Sequence, residues 1–112
     1  MTDCLFCRIV EGSIPAEIVY QDTLIMAFKD IQPRAQVHLL VIPKQHITSL
    51  QHTSDAHQML MGHIMLQLPN LAKSQGLNDG FRTIINTGPA GGQEIAHLHI
   101  HLLGGKDLPG FH

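Results

Sequence analysis

Residues 96–105, AHLHIHLLGG, carry the pattern that most constrains the fold of this chain. Histidine occupies every second position from 97 to 101, and leucine or isoleucine fills the positions between and after the histidines. A β-strand places alternate side chains on opposite faces of a sheet. The pattern therefore predicts a strand over residues 95–105, with one apolar face and one face that carries three imidazoles.

Two helices are predicted from apolar residues at helical spacing. The first is short and covers residues 4–11. The second begins at Thr53 or Ser54, whose hydroxyls can cap it, and runs towards Gly76. We expect Pro69 to kink or end this long helix, because proline removes a backbone donor and clashes with the preceding turn.

Strand-like runs fill most of the rest of the chain, and the first two form a hairpin around a tight polar turn at Asp22 and Thr23. With no repeat or low-complexity segment, the chain of 112 residues reads as one α+β domain over residues 1–112 with a mainly antiparallel sheet. The expected strands are residues 17–22, 24–30, 36–43, 80–88 and 95–105.

Charge and hydropathy exclude two classes of partner. The net charge is −2, only 14 % of residues are charged, and no run of lysine or arginine occurs, so we expect no nucleic-acid partner. No stretch approaches the roughly 18 apolar residues of a membrane span, and the first residues lack a basic segment followed by an apolar one. We therefore expect a cytoplasmic protein with no membrane partner.

Three explanations are open for the alternating histidines. They are core polar groups, metal ligands, or a catalytic group in which one imidazole is the nucleophile and its neighbours bind an anion or pass a proton. Burial of an imidazole without partners costs on the order of 1–3 kcal/mol, which argues against three simple core residues. The glycine-rich segment TGPAGGQE before them offers backbone N–H groups for a phosphate and favours catalysis on an anion.

Two other patterns allow more than one role. Asp30 can bind the hydroxyls of a ribose or can serve as a turn residue. Cys4 and Cys7 form a C-x-x-C pair, which is a metal half-site, a redox pair or a chance spacing. A thioredoxin-like redox pair would require a strand before its first cysteine, and no strand precedes Cys4. Two histidines elsewhere could complete a tetrahedral zinc site with the two cysteines.

The segment GGQEIAHLHIHLLGG resembles the signature of the histidine triad (HIT) superfamily of nucleotide hydrolases and transferases. Gly92-Gln93 before the triad and Gly104-Gly105 after it resemble the Hint-type branch of purine nucleoside phosphoramidases. SIPAEIVYQD, AFKDIQPRAQVHLLVIPKQHI and RTIINTG are similar to that branch in the same order, so the resemblance covers nearly the whole chain. It implies the HIT-like fold, with a five-stranded sheet, one short N-terminal helix and one long central helix.

This resemblance implies a hydrolase that cleaves the P–N bond of purine nucleoside 5′-phosphoramidates through a nucleotidyl-histidine. His99 would be the nucleophile, His101 would assist the departing amine, and His97 and His38 would support them. Glu94 would face the leaving amine, where it could bind an ammonium group or relay a proton. The nucleotide-binding residues that the resemblance implies are Phe6, Ile9, Ile14, Phe28, Asp30, Ile31, Leu40, Asn86, Gly92, Gln93, Glu94, His99 and His101.

The resemblance also implies a structural zinc ion, held by Cys4, Cys7, His46 and His97, and no cofactor for catalysis. It further implies a homodimer, with the long helix and the strand GFRTIINTG at the interface. Three alternatives are a dinucleoside polyphosphate hydrolase of the same superfamily, a non-catalytic nucleotide-binding or scaffold protein, and a module in which the triad itself binds zinc.

Overall fold

The computed structural model of this chain describes residues 3–110. Helix α1 covers Leu5–Val10, strands β1, β2 and β3 cover Ile18–Gln21, Ile25–Lys29 and Val37–Pro43, helix α2 covers Gln58–Ser74, and strands β4 and β5 cover Arg82–Ile84 and Ile100–Gly104. Single turns of 3-10 helix cover Leu50–His52, Asp55–His57 and Pro89–Gly91. The predicted order of helices and strands is confirmed.

The five strands form one sheet in the order β1-β2-β3-β5-β4, and every neighbouring pair is antiparallel. Strand β3 lies in the middle and is buried over nearly its whole length. In the register of the sheet, Phe28 faces Leu40, and Leu40 faces His101. Cross-strand partners share a face, so these three side chains form one row across the sheet.

The sheet separates two hydrophobic cores, as the alternation along its strands requires. On one face, Leu39 and Val41 of β3 pack in a cluster with the buried stripe of α2, formed by Leu60, Ile64, Leu68 and Leu71. On the other face, Leu40 and Ile42 pack with Phe6 and Ile9 of α1. Each face is therefore covered by its own helix.

The predicted cap residue Ser54 lies one 3-10 turn before α2, and His57, the N-cap of α2 itself, makes no side-chain capping bond to that helix. The Ser54 hydroxyl accepts a hydrogen bond from the Ala56 amide and initiates a 3-10 turn that leads into the helix. Of the two outcomes expected at Pro69, a kink or an early end, the early end does not occur, since α2 continues to Ser74. Loss of one backbone hydrogen bond is offset because Leu71 and Ala72, beyond the proline, are buried against the sheet.

The last two strands are shorter than predicted. Strand β4 keeps three residues of the predicted 80–88, and β5 begins only at Ile100. His97 and His99 therefore precede the strand rather than lie on it. Two hydrogen bonds turn this segment away from the strand ladder. The His97 amide donates to the Ile95 carbonyl at 2.8 Å, and the Leu98 amide donates to the Ile47 carbonyl at 2.7 Å.

Side chains nevertheless alternate through this segment as a strand would place them. Leu98, Ile100 and Leu102 are buried in the core under α2, whereas His99 and His101 line the opposite face. Within residues 3–110, no helix has both the length and the apolar character that a membrane crossing needs.

Candidate active site and metal centre

A cavity of about 370 Å³ opens on the α1 face of the sheet. Its walls come from α1, from the ends of β2 and β3 with the loop between them, and from the segment that runs from the glycine-rich loop into β5. The lining residues are Leu5, Phe6, Ile9, Ile14, Pro15, Phe28, Lys29, Asp30, Ile31, Gln32, Arg34, His38, Leu40, Asn86, Gly92, Glu94, Ile95, His99 and His101.

This lining brings together twelve of the thirteen residues that the sequence predicts to bind a nucleotide. The exception is Gln93, whose side chain makes hydrogen bonds that hold the glycine-rich loop in its conformation. Its amide oxygen accepts from the Gly88 amide, and its amide nitrogen donates to the carbonyls of Thr48 and Ile95 at 2.8 and 2.9 Å. Gln93 thus shapes the glycine-rich loop from outside the cavity.

The hydrogen bond that His99 makes determines which of its ring nitrogens is available. Nδ1 of His99 lies 2.7 Å from the carbonyl oxygen of His97, so this nitrogen carries the proton and donates. In the neutral imidazole the other nitrogen, Nε2, then holds a lone pair. His99 is buried, with only 6 % of its surface exposed, and it lines the cavity.

A chain of hydrogen bonds also fixes the tautomers of His38 and His101. The Arg34 amide donates to Nδ1 of His38 at 3.1 Å, which leaves the proton of that ring on Nε2. Nε2 of His38 then donates to Nδ1 of His101 at 2.9 Å. As a result His101 carries its own proton on Nε2 and can donate it to a group in the cavity.

The environment keeps both of these rings neutral. Burial, together with the nearby His99 and His38 rings, lowers the pKa of His101 to about 4. Burial likewise lowers the pKa of His38, although the Asp30 carboxylate opposes the shift. At neutral pH these side chains therefore act as hydrogen-bond donors and acceptors rather than as fixed cations.

Asp30 lies where β2 ends and lines the same cavity. One carboxylate oxygen accepts from the Gln32 amide at 2.9 Å, as in a turn, and the other lies 3.4 Å from Nε2 of His38. Both expected roles, turn residue and ligand-facing acceptor, are compatible with this placement, because a carboxylate oxygen accepts more than one hydrogen bond.

Apolar rings form the floor of the cavity next to the nucleophile candidate. Phe6 makes edge-to-face contacts with Phe28 and His99, at centroid distances of 5.5 and 5.2 Å. The glycine-rich loop closes the polar end, where Gly92 adopts a left-handed conformation (φ 86°) that favours glycine. The cavity is thus apolar on one side and polar on the other.

Four residues from three distant parts of the chain meet beside this cavity. Nδ1 of His97 lies 3.2 Å from Sγ of Cys4, 3.5 Å from Sγ of Cys7 and 3.2 Å from Nδ1 of His46. Cys7 Sγ and His46 Nδ1 are 3.3 Å apart. These four donor atoms could hold a metal ion.

The donor set fits a tetrahedral zinc ion. Ligand atoms bound about 2.3 Å (sulfur) and 2.0 Å (nitrogen) from zinc in tetrahedral geometry are roughly 3.3–3.8 Å from one another, close to the spacings found here. Nε2 of His97 lies 2.9 Å from the Pro43 carbonyl and donates to it, so Nδ1 offers its lone pair to the cluster. Burial and the neighbouring Cys4 raise the pKa of the Cys7 thiol to about 11, so an ion must displace its proton.

The three triad rings do not converge on one ion. His97 points to the cysteines, His99 is bonded to backbone, and His101 is bonded to His38. A second group in the described part of the chain, Asp30, His38 and His101, also has donor atoms close together, but its His38–His101 hydrogen bond accounts for that proximity. This geometry disfavours the alternative in which the triad itself binds zinc.

Two further features of the site were not anticipated from the sequence. Arg34 is exposed on the cavity wall, and its positive charge lowers the pKa values of His38 and His101. Glu94 lines the nucleotide-sized cavity and also a second one of about 510 Å³, next to Asp3 and Cys4. In the sequence, a role for Arg34 could have been inferred from its position, because it is a basic residue in the loop after Asp30 with no acidic residue beside it.

Comparison with known proteins identifies a matching family and several similar chains. The family model described as "HIT domain" matches residues 11–108. Protein HitA of Neisseria gonorrhoeae is 54 % identical over 104 residues, which cover 93 % of this chain and 97 % of HitA. The crystal structure of a HIT family hydrolase from Legionella pneumophila is similar at 44 % identity and a TM-score of 0.92, covering 96 % of both chains. A histidine triad protein from Clostridium difficile is similar at 43 % identity and a TM-score of 0.93, covering 100 % of this chain and 98 % of its own.

Proposed function

The chain belongs to the HIT domain family, and from that premise we propose that it is a purine nucleoside phosphoramidase. As such it hydrolyses the P–N bond between the α-phosphorus of a purine nucleoside monophosphate and an amine. The observation that carries this proposal is the bond from His99 Nδ1–H to the His97 carbonyl, which leaves Nε2 unprotonated in a residue that lines the cavity. This is the protonation state that a nucleophilic imidazole needs.

The reaction proceeds in two displacements at phosphorus. The lone pair of His99 Nε2 forms a bond to the α-phosphorus, and the electron pair of the P–N bond leaves with the amine. His101 Nε2–H donates a hydrogen bond to the departing nitrogen and assists its departure, and that nitrogen takes up a proton from solvent. Water then attacks the nucleotidyl-histidine and releases a proton to solvent, the bond from phosphorus to Nε2 breaks, and the nucleoside monophosphate and free His99 are released.

Two hydrogen bonds, from the Arg34 amide to His38 and from His38 to His101, hold the His101 ring in this role. Because His38 donates to Nδ1 of His101, the proton of the neutral His101 ring stays on Nε2, where it can donate a hydrogen bond to the departing nitrogen. The low pKa of His101 keeps this ring neutral, so it acts as a hydrogen-bond donor in both displacements.

Binding groups are supplied around these histidines. We propose that Phe6, Ile9, Ile14, Phe28, Ile31 and Leu40 hold the purine, that Asp30 accepts hydrogen bonds from the ribose hydroxyls, and that Asn86 and Gly92 face the phosphate, with Gln93 holding the loop in shape. Glu94 faces the leaving amine at the junction of the two cavities.

We propose zinc for the centre formed by Cys4, Cys7, His46 and His97, because two thiols and two imidazoles are donors that zinc prefers and four protein ligands would close a tetrahedral site. Zinc bound there would cross-link α1 to the segments that carry His46 and His97, and its contribution would be structural rather than catalytic. No step of the reaction above uses it.

The remaining features of the proposal concern the whole protein. The five described strands belong to one sheet, and each described α-helix packs on one of its faces. We propose a single domain over residues 1–112. We also propose a cytoplasmic homodimer that acts on AMP or GMP conjugates such as nucleotidyl-lysine. Strand β4, at one edge of the sheet, and the exposed side of α2 would meet their counterparts in the partner.

A covalent trapping experiment tests the proposed function. The wild-type protein is mixed with an adenosine 5′-phosphoramidate labelled in its phosphate and is quenched within the first turnovers. We expect acid-labile label on the protein and AMP in solution, with no label on His99→Ala. Hydrolysis of diadenosine polyphosphates in preference to the phosphoramidate would support the other branch of the superfamily, and nucleotide binding with no turnover of either would support a scaffold.

A further inference from the structure

Helix α1 is too short to be stable without other contacts. It has six residues, whereas isolated helices shorter than about 12 residues are marginal in water. Its first turn contains both cysteines, since Cys4 is the N-cap and Cys7 is the third helical residue. The Cys4 sulfur also accepts a hydrogen bond from the Cys7 amide. Whatever binds this pair of thiols therefore holds the start of the helix.

The same helix forms one wall of the nucleotide cavity. Phe6, between the two cysteines, is buried on the sheet and contacts the His99 ring edge-to-face. Leu5 and Ile9 also line the cavity. The core on this face consists of α1 residues packed on β2 and β3, whereas α2 packs only in the other core. Movement of α1 would therefore open the cavity and leave the core under α2 intact.

His97 connects the metal centre to the nucleophile candidate. Its ring takes part in the centre through Nδ1 and is fixed on the far side by the Pro43 carbonyl, while its own carbonyl accepts the Nδ1–H of His99. Phe6 touches both rings, at centroid distances of 5.8 Å from His97 and 5.2 Å from His99. The position of the His97 backbone thus sets the orientation of the His99 imidazole.

We propose that the metal centre positions the nucleotide site: zinc held by Cys4, Cys7, His46 and His97 keeps α1 closed on the cavity and His97 in place behind His99. The inference rests on the zinc ion and the nucleotide of the proposed function. Cys4, Cys7 and His46 are positioning residues, because they act on the cavity through Phe6 and His97 rather than by touching the substrate.

Removal of zinc then weakens nucleotide binding by a population effect. A protein whose binding-competent conformation is only a fraction of the molecules binds with an apparent Kd raised by the inverse of that fraction. If α1 is closed in about one tenth of the metal-free molecules, AMP binds about tenfold more weakly. Opening of α1 also exposes its backbone amides, whereas those of α2 stay protected.

The test combines hydrogen exchange with AMP binding measured by calorimetry on the full chain. We compare zinc-loaded wild type, chelator-treated wild type and Cys7→Ser. Metal-free wild type and Cys7→Ser should exchange faster over residues 3–16, with residues 58–74 unchanged, and should bind AMP about tenfold more weakly. Added zinc should reverse both changes in the wild type and neither in Cys7→Ser.

A second variant separates the metal ion from the wall that it supports. Phe6→Ala keeps all four ligands, so it should retain one zinc per chain by metal analysis and still bind AMP weakly. Faster exchange in α2 together with α1, or unchanged exchange over residues 3–16 without zinc, overturns the inference. Failure of zinc-loaded wild type to bind AMP contradicts the proposed function alone, because the exchange pattern still decides whether zinc holds α1.

Discussion

The Glu94 side chain is exposed at the junction of two cavities, and its charge should affect the choice of leaving group. A carboxylate attracts a leaving group that carries an ammonium and has no such effect on a neutral one. Glu94→Gln keeps the shape and removes the charge. We predict that kcat/KM for an AMP–lysine substrate falls about fivefold, equivalent to roughly 1 kcal/mol for an exposed pair.

Steady-state kinetics with two substrates checks this prediction. An AMP–arylamine, whose leaving group is neutral, should change less than twofold in the same variant. Asp79→Asn, which removes a carboxylate from the exposed loop before β4, serves as the control for net charge. An equal loss on both substrates would mean that Glu94 does not interact with the cation.

Single residues show what the sequence could predict about the site and what it could not. The spacing of the histidines indicates a functional cluster, but it does not distinguish the rings. Their partners do: the Arg34 amide and the His97 carbonyl fix which nitrogen carries each proton. Backbone atoms have no signature in a sequence, so only a folded structure shows such contacts. For the same reason, the sequence does not show that the Gln93 side chain bonds to the backbone of the loop instead of lining the cavity.

At the scale of helices and strands, periodicity predicts type more reliably than length. Alternating apolar residues give the correct face for every position from Leu98 to Leu102, but they do not show that the ladder of β5 begins at Ile100. Where a strand ends depends on its neighbour and on competing hydrogen bonds such as that from Leu98 to Ile47. Pro69 illustrates the reverse case, in which burial of later residues overrides a local helix breaker.

A hydrogen-bonded carboxylate joins the β1–β2 turn to α2. Asp22 accepts from the amides of Leu24 and Ile25 through one oxygen, and from Tyr20 Oη and His63 Nε2 through the other, at 2.8 and 2.7 Å. Although burial opposes it, this set of bonds, led by that from His63, holds the pKa of Asp22 well below its usual range. The ionised form is therefore stabilised by folding.

Stability should depend on pH through this group. A carboxyl whose pKa is lowered by folding contributes its stability above the unfolded-state pKa near 4 and loses it as the pH falls below that value. We predict that Asp22→Asn lowers the free energy of unfolding by about 1–3 kcal/mol at pH 7. Urea unfolding should show this difference shrinking between pH 5 and pH 2, and Asp79→Asn, the same change without these bonds, should show no such trend.

At the scale of the whole molecule, the sequence does not show that the four residues of the candidate metal centre come together. Cys4 and His97 are 93 positions apart, and no local pattern connects them. They meet because α1 packs on β2 and β3 while the segment before β5 returns to the same place. A family resemblance supplied the four residues, whereas composition and spacing supplied only the C-x-x-C half of the set.

The edges of the sheet offer the last prediction, because only one of them is expected to pair with a second copy. Ile84 in edge strand β4 and Ile18 in edge strand β1 are nearly equally exposed, at 38 % and 41 %. Exposed apolar residues on an edge strand favour association with another strand. If β4 and α2 form the dimer interface, Ile84→Glu places two charges close to the two-fold axis, and Ile18→Glu leaves the interface unchanged.

Light scattering coupled to size-exclusion chromatography measures the outcome. Wild type and Ile18→Glu should elute with the mass of two chains, about twice 12.4 kDa. Ile84→Glu should elute as one chain, or dissociate at a protein concentration at least about tenfold higher than the wild type does, which corresponds to roughly 1.4 kcal/mol of association free energy. Dissociation by Ile18→Glu instead would place the interface at β1. A monomeric wild type would exclude the dimer, because symmetric pairing through β4 needs no component other than a second copy of this chain.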